Sequence, residues 1–181
     1  SYLLEFVDRL SVAGADRFII HARKAWLKGL NPKQNRTIPP LQYERVRTLK
    51  ENRPNLIIEL NGGLKNIDEC IQALKIYDGV MVGRAIYDHP FIWTSIDSKI
   101  FGDNKKIISI SKIIKQIIPY AEKNLKNNGS LWDLSKHILK LIENIPSAKF
   151  IRQELSEKSQ KKNADLSILE NVAQQHEATG H

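Results

Sequence analysis

One cysteine, Cys70, stands alone in 181 residues. It excludes an internal disulfide and any zinc site built from cysteine pairs. No apolar run reaches the roughly eighteen residues that a membrane span needs, and no stretch reads as a secretory leader. A cytoplasmic protein is the expectation from these absences. Acidic residues are also in short supply: 20 Asp and Glu face 28 Lys and Arg, for a net charge of +8. Such a surplus suits a polyanionic partner, nucleic acid first. It is not gathered in a tail, because residues 96–181 hold 14 basic and 10 acidic side chains and the first 95 hold the same. Apolar content of 41% is enough for a packed core and excludes wholesale disorder.

What is present alternates. Residues 1–13 space Leu3, Leu4, Phe6, Val7 and Leu10 as a helix, with Gly14 as its cap. The chain opens inside this apparent helix, as if in the middle of something longer. Residues 17–23 (RFIIHAR), 56–60 (LIIEL) and 80–82 (VMV) are short apolar runs without helical period, and read as strands. Helices are expected over 41–51, ending before Pro54, and from Ile67 through Leu74, where Asn66 and Glu69 form a capping box. Between the first strand and the first of these helices, residues 24–40 read as a long loop, a length that usually signals function. Strands alternating with helices give an α/β unit with a parallel sheet, covered on both faces. A β/α barrel and a doubly wound sheet both remain open on this pattern. After Trp93 no strand is evident. Helices are expected over 107–125, 131–143, 148–159 and 166–175, with breaks at Asn127-Asn128-Gly129, Pro146 and Asn163. A domain boundary is placed near residue 95, with a helical bundle beyond it.

In parallel α/β folds, ligands bind beyond the carboxyl ends of strands. Those ends are His21-Ala22-Arg23, Asn61-Gly62-Gly63 and Gly83-Arg84. Glycine lets main-chain N–H groups approach an anion without a Cβ in the way, and a helix starting just beyond adds its positive end. Two neighbouring turns of this kind can cradle a phosphate, although a tight βα turn alone also explains them. The loop KGLNPKQNR carries Lys28, Lys33 and Arg36 with no acid among them, a strip suited to a nucleic-acid backbone or simply to solvent.

The segments HARKAWLKGLNPKQNRTIPPL, ELNGGLKN and DGVMVGRAIYDHP, continued by SAKFIRQELSE and NADLSILENV, resemble the tRNA-dihydrouridine synthase family, in its A-type branch, over nearly the whole chain. The resemblance implies the last three strands of a TIM (β/α)8 barrel over residues 1–95, followed by a helical tRNA-binding domain over 96–181. It implies an enzyme that reduces uridine to 5,6-dihydrouridine at D-loop positions 20 and 20a of tRNA, with FMN as cofactor and NADPH as electron donor. It assigns His21 to the flavin ring, Asn61, Gly62 and Gly63 to one phosphate-side loop, and Gly83 and Arg84 to a second. It assigns Lys33, Arg36, Lys149 and Arg152 to tRNA. Lys149 departs from the arginine usual there, and lysine grips a phosphate as a point charge rather than through a fork. The i, i+3 spacing of Lys149 and Arg152 puts both on one helix face.

A full barrel needs about 250 residues, so the resemblance also implies that the family's proton-donating cysteine lies outside this chain. Cys70, among Ile67, Ile71 and Leu74, reads as packing. The catalytic set within the chain is therefore empty, and these residues by themselves are expected to be inactive. A catalytically dead tRNA-binding remnant and a phosphate-binding barrel acting on small metabolites are the alternatives. No metal or membrane partner is expected, and a monomer is expected for a complete protein.

Overall fold

The computed structural model describes residues 2–103, 107–143 and 147–178. The chain divides into two compact units between Ile86 and Tyr87. That division precedes the compositional change near residue 95, because Phe91 packs with the core of the second unit. Pro146, expected as a helix break, lies outside the described residues.

The first unit begins with α1 (Tyr2–Val12). A two-bond terminus closes it, from Gly14 N–H to the Ser11 carbonyl and from Ala15 N–H to that of Leu10. The strands β1 (Arg17–His21), β2 (Ile57–Asn61) and β3 (Gly79–Met81) form one parallel sheet in that order. Helices α2 (Pro32–Asn35) and α3 (Tyr43–Asn52) separate β1 from β2, and α4 (Ile67–Leu74) separates β2 from β3. The stretch expected to be loop thus contains one helical turn. Asn31 starts it: its side chain accepts the Gln34 N–H, and the Gln34 side chain accepts the Asn31 N–H. Pro32, at the first helical position, has no N–H to leave unpaired.

Alternation along the strands sets two different faces. Phe18, Ile58 and Leu60 are buried beneath the helices with Val46, Leu49 and Cys70. The register brings Arg17, Ile19 and His21 beside Ile57, Glu59 and Asn61, with Gly79 and Met81 next in line. This second face was expected to be covered and is not: Ile19 is 50% exposed and Met81 47%. The apolar content of the strands is complete, but no layer of this unit packs on that side. Asp78 locks the start of β3 by accepting the Ile58 N–H and the Lys50 ammonium, and Arg53 grips Asp8 through two hydrogen bonds that tie α3 to α1.

The second unit contains, among its described residues, helices and no strand. After α5 (Arg84–Asp88), which straddles the division, come a 3-10 turn (Pro90–Trp93), α6 (Ile96–Phe101), α7 (Ile110–Lys126), α8 (Trp132–Ile138), α9 (Ala148–Ser159) and α10 (Ser167–Ala178). Ile110, Ile114 and Ala121 of α7 meet Leu169, Val172 and Ala173 of α10 in a fully buried core. The helix expected over 131–143 stops at Ile138. Residues 139–142 continue its apolar rhythm in turns, where Lys140 and Leu141 donate to carbonyls three residues back. Among the described residues, no helix is long and apolar enough to cross a membrane.

Candidate functional site

The carboxyl ends of all three strands are level. His21 is in register with Asn61, and Asn61 with Met81, so three chain directions change along one line. Asn61 braces that line, its side-chain amide donating to the Met81 carbonyl at 3.0 Å. Immediately beyond, Gly62 and Gly63 adopt φ of +105° and +82°, a region costly for any residue with a Cβ. The Tyr43 hydroxyl holds this turn from α3 by donating to the Gly62 carbonyl at 2.9 Å, and Tyr77 donates in turn to the Tyr43 carbonyl. Asn66 then caps α4 by accepting the Glu69 N–H. The reciprocal partner of the Glu69 carboxylate is the Lys65 N–H rather than that of Asn66, a shifted form of the expected box.

The three glycines are not equivalent. A Cβ on Gly63 would lie 2.4 Å from Leu41 Cδ1 and 2.6 Å from the Tyr43 hydroxyl. Its missing side chain therefore makes room for protein atoms, on the wall of a cleft of about 760 Å³ between α3 and α4. At Gly62 a Cβ would approach the His21 ring, 3.2 Å from Cε1. At Gly83 it would meet nothing within 4 Å. Of these three glycines, Gly83 alone borders open space in the direction a side chain would take.

His21 is exposed at the end of β1, against Gly62. Partial desolvation, followed by the positive charges of Arg23 and Arg84, lowers its pKa below the ordinary imidazole value. Arg84 is exposed and donates through Nη2 to the Arg36 carbonyl at 2.9 Å. Arg23 donates to the Pro39 carbonyl. Within the loop, Asn35 accepts the Trp26 N–H at 2.7 Å and donates back to the Trp26 carbonyl. These bonds fix the 24–40 segment beside the strand ends and leave Lys33 and Arg36 exposed.

The first unit thus brings together His21, Asn61, Gly62, Gly63, Gly83 and Arg84, with Lys33 and Arg36 on the adjoining loop. Lys149 and Arg152 belong to the second unit. They do not face outward alike: Lys149 is exposed, whereas Arg152 is half-buried and donates to the Ile142 carbonyl. Arg152 therefore ties α9 to the segment before it. Cys70 is fully buried, and burial pushes its thiol pKa up, the opposite of an activated cysteine. Among the described residues, no group of three or more His, Cys, Asp or Glu is placed to hold a metal ion. Tyr43 and Asn35 were missed from sequence. Their partners lie nineteen and nine residues away, and no local pattern marks either one.

Glycine-containing turns and an arginine thus lie at neighbouring strand ends, with unfilled space at Gly83. The profile of the family described as Dihydrouridine synthase (Dus) matches residues 1–179. A Synechocystis protein named tRNA-dihydrouridine(20/20a) synthase is 40% identical over 178 residues, which are 98% of this chain and 53% of that protein. Proteins of the same name from Salmonella typhimurium and Yersinia pestis are 42% and 43% identical, over 94% and 93% of this chain and 52% and 49% of theirs. The chain spans about half the length of the curated relatives it matches. With this match along almost its entire length, the chain belongs to the dihydrouridine synthase family.

Proposed function

We propose that the protein carrying this chain reduces uridine to 5,6-dihydrouridine at D-loop positions 20 and 20a of tRNA, in the cytoplasm, with FMN as cofactor and NADPH as electron source. The observation that carries this reading is the level row of strand ends. It sets His21 against the Gly62 turn, with the open space at Gly83 and the Arg84 guanidinium beyond the end of the neighbouring strand. Bound FMN would supply the hydride for the C5–C6 double bond, which no side chain here can provide.

The chain's own residues bind and orient. Main-chain groups of Asn61–Gly63 and Gly83, with the Arg84 guanidinium, hold the cofactor phosphate. His21 lies toward the flavin ring. Lys33 and Arg36 take tRNA phosphates, as do Lys149 and Arg152. The uncovered sheet face is the inner face of a TIM barrel, completed by strands outside these residues, and residues 96–181 form a helical tRNA-binding domain. Cys70, sealed in the core, is no proton donor, so the 181 residues alone are inactive.

The test uses the complete protein, purified and examined for bound flavin, then assayed for dihydrouridine on unmodified tRNA with NADPH. Yellow protein is expected, with product that disappears when the uridines at 20 and 20a are replaced by cytidine. A flavin-free protein that binds tRNA without turnover would overturn the proposal in favour of an RNA-binding remnant. The isolated chain should give no product.

A further inference from the structure

Helix α7 spends its outward face on lysine. Its inward side carries Ile110, Ile114 and Ala121 into the core of the second unit. At about 100° per residue, Lys112, Lys115, Lys123 and Lys126 fall within an arc of about 80° on the opposite side. All four are exposed. Tyr120 stands beside them, 69% exposed, with a large ring that the fold does not use.

This placement is costly at one end of the helix and favourable at the other. The first turn contains no acid, and Lys112 and Lys115 lie near the amino-terminal end, where the helix dipole disfavours positive charge, whereas Lys123 and Lys126 lie in the last turn, where it favours it. Lys112 with Lys115, and Lys123 with Lys126, are like-charge pairs three residues apart, an arrangement that also destabilises. Relief is partial. Lys115 pairs with Glu177, and Lys126 pairs with Glu122 at 2.8 Å. Both pairs are exposed, and such pairs exchange readily for another anion. Among the described residues, Lys112 and Lys123 have no carboxylate within ion-pair distance. They stand about 16 Å apart along the helix at 1.5 Å per residue. A repulsive row of cations with an exposed aromatic ring matches what a nucleic-acid strand offers: spaced phosphates, and bases that stack.

We propose that the outer face of α7, through Lys112, Lys123 and the exchangeable Lys115 and Lys126, is an RNA-backbone contact surface, with Tyr120 stacking on an unpaired base. This surface is additional to Lys149 and Arg152, and it rests on the reading of tRNA as substrate.

The test compares three forms of the complete protein: unaltered, Lys112→Gln/Lys123→Gln, and Arg45→Gln/Lys75→Gln, which removes the same charge from exposed positions in the first unit. Binding of unmodified tRNA is measured across a salt series. Each lost phosphate contact lowers the slope of log K against log salt by about 0.7–0.9, so the α7 variant should be shallower by about 1.5. The control should keep its slope. KM for tRNA should rise in the α7 variant while kcat holds, and its melting temperature should stay close to that of the unaltered protein, because relief of repulsion at Lys112 is offset by the lost dipole contact at Lys123. Tyr120→Ala should weaken binding by about fivefold or more, with Tyr120→Phe unaffected. If the α7 variant and the control lose slope equally, or neither does, the surface is refuted while the proposed substrate stands. If the unaltered protein binds no tRNA, the proposed function itself falls.

Discussion

Replacing Gly63 and Gly83 by alanine, one at a time, separates two reasons for a glycine at a strand end. At Gly63 the backbone has φ of +82°, a conformation that costs a residue with a Cβ about 1–2 kcal/mol. The new methyl would also sit 2.6 Å from the Tyr43 hydroxyl and 2.4 Å from Leu41 Cδ1. Both are side-chain ends and can yield, but Tyr43 yields only by giving up its bond to the Gly62 carbonyl. A partly buried hydrogen bond of that kind is worth about 0.5–1.5 kcal/mol. The sum is a loss of about 1.5–3.5 kcal/mol. At Gly83 the methyl would meet nothing within 4 Å, so stability should change by no more than about 0.5 kcal/mol. Cofactor retention should show the reverse emphasis. Gly83→Ala puts a methyl where the phosphate is proposed to lie and should weaken FMN binding in an otherwise sound protein. Urea unfolding at constant m-value gives the first quantity, and flavin fluorescence titration of the refolded apoprotein gives the second. Equal destabilisation by the two substitutions would refute the packing argument. Full FMN affinity in Gly83→Ala would refute the cradle.

Three further outcomes follow from the same geometry. The His21 imidazole should titrate below its usual midpoint by NMR, and Arg84→Ala should move it upward by removing a positive charge; an unmoved midpoint would separate the two residues. Because the folded pKa is lowered, the unfolded state takes up the proton first. Stability from this group is therefore present above the ordinary imidazole pKa and declines as pH falls toward the folded value, and His21→Asn should remove that slope. Asn31→Ala breaks the reciprocal cap of α2 at a cost of about 1 kcal/mol, and should show as faster proteolytic nicking within residues 24–40 with little change in global melting. Arg36→Ala should weaken tRNA binding and lower its salt slope by about 1, whereas an unchanged slope would take Arg36 off the RNA surface.

The βαβ rhythm of the first unit was legible because short apolar runs bounded by polar helices have few other readings. Ile57 through Asn61 and Ile67 through Leu74 fall within a residue or so of expectation. Burial was less legible. An apolar strand announces that it can be covered on both faces, and Ile19, half exposed, shows that apolar character alone does not say whether both faces are. Elements of one or two turns escaped, since α2, α5 and α6 are too short for a period to register. Yet Asn31-Pro32-Lys33-Gln34 carried the full signature of a helix start. The opposite error occurred at residues 139–142, where periodicity outlasted the helix. At the site, the glycine turns were visible because their composition is unusual. What fixes them was not: the bond from Tyr43 to Gly62 joins positions whose proximity only the folded sheet creates. The motif also suggested one role for Gly62 and Gly63 together, whereas the direction of each absent Cβ divides them.

The bond from Arg84 to the Arg36 carbonyl has a thermodynamic corollary. One guanidinium steadies the basic loop, and the same side chain is the proposed partner of the cofactor phosphate, so the two proposed occupancies share one residue. Reciprocity then requires that whatever the anion adds to RNA affinity, RNA adds to anion affinity in equal measure. With the proposed cofactor and RNA both engaging this pair of residues, the change in RNA affinity on adding flavin and the change in flavin affinity on adding RNA are one free energy measured from opposite ends.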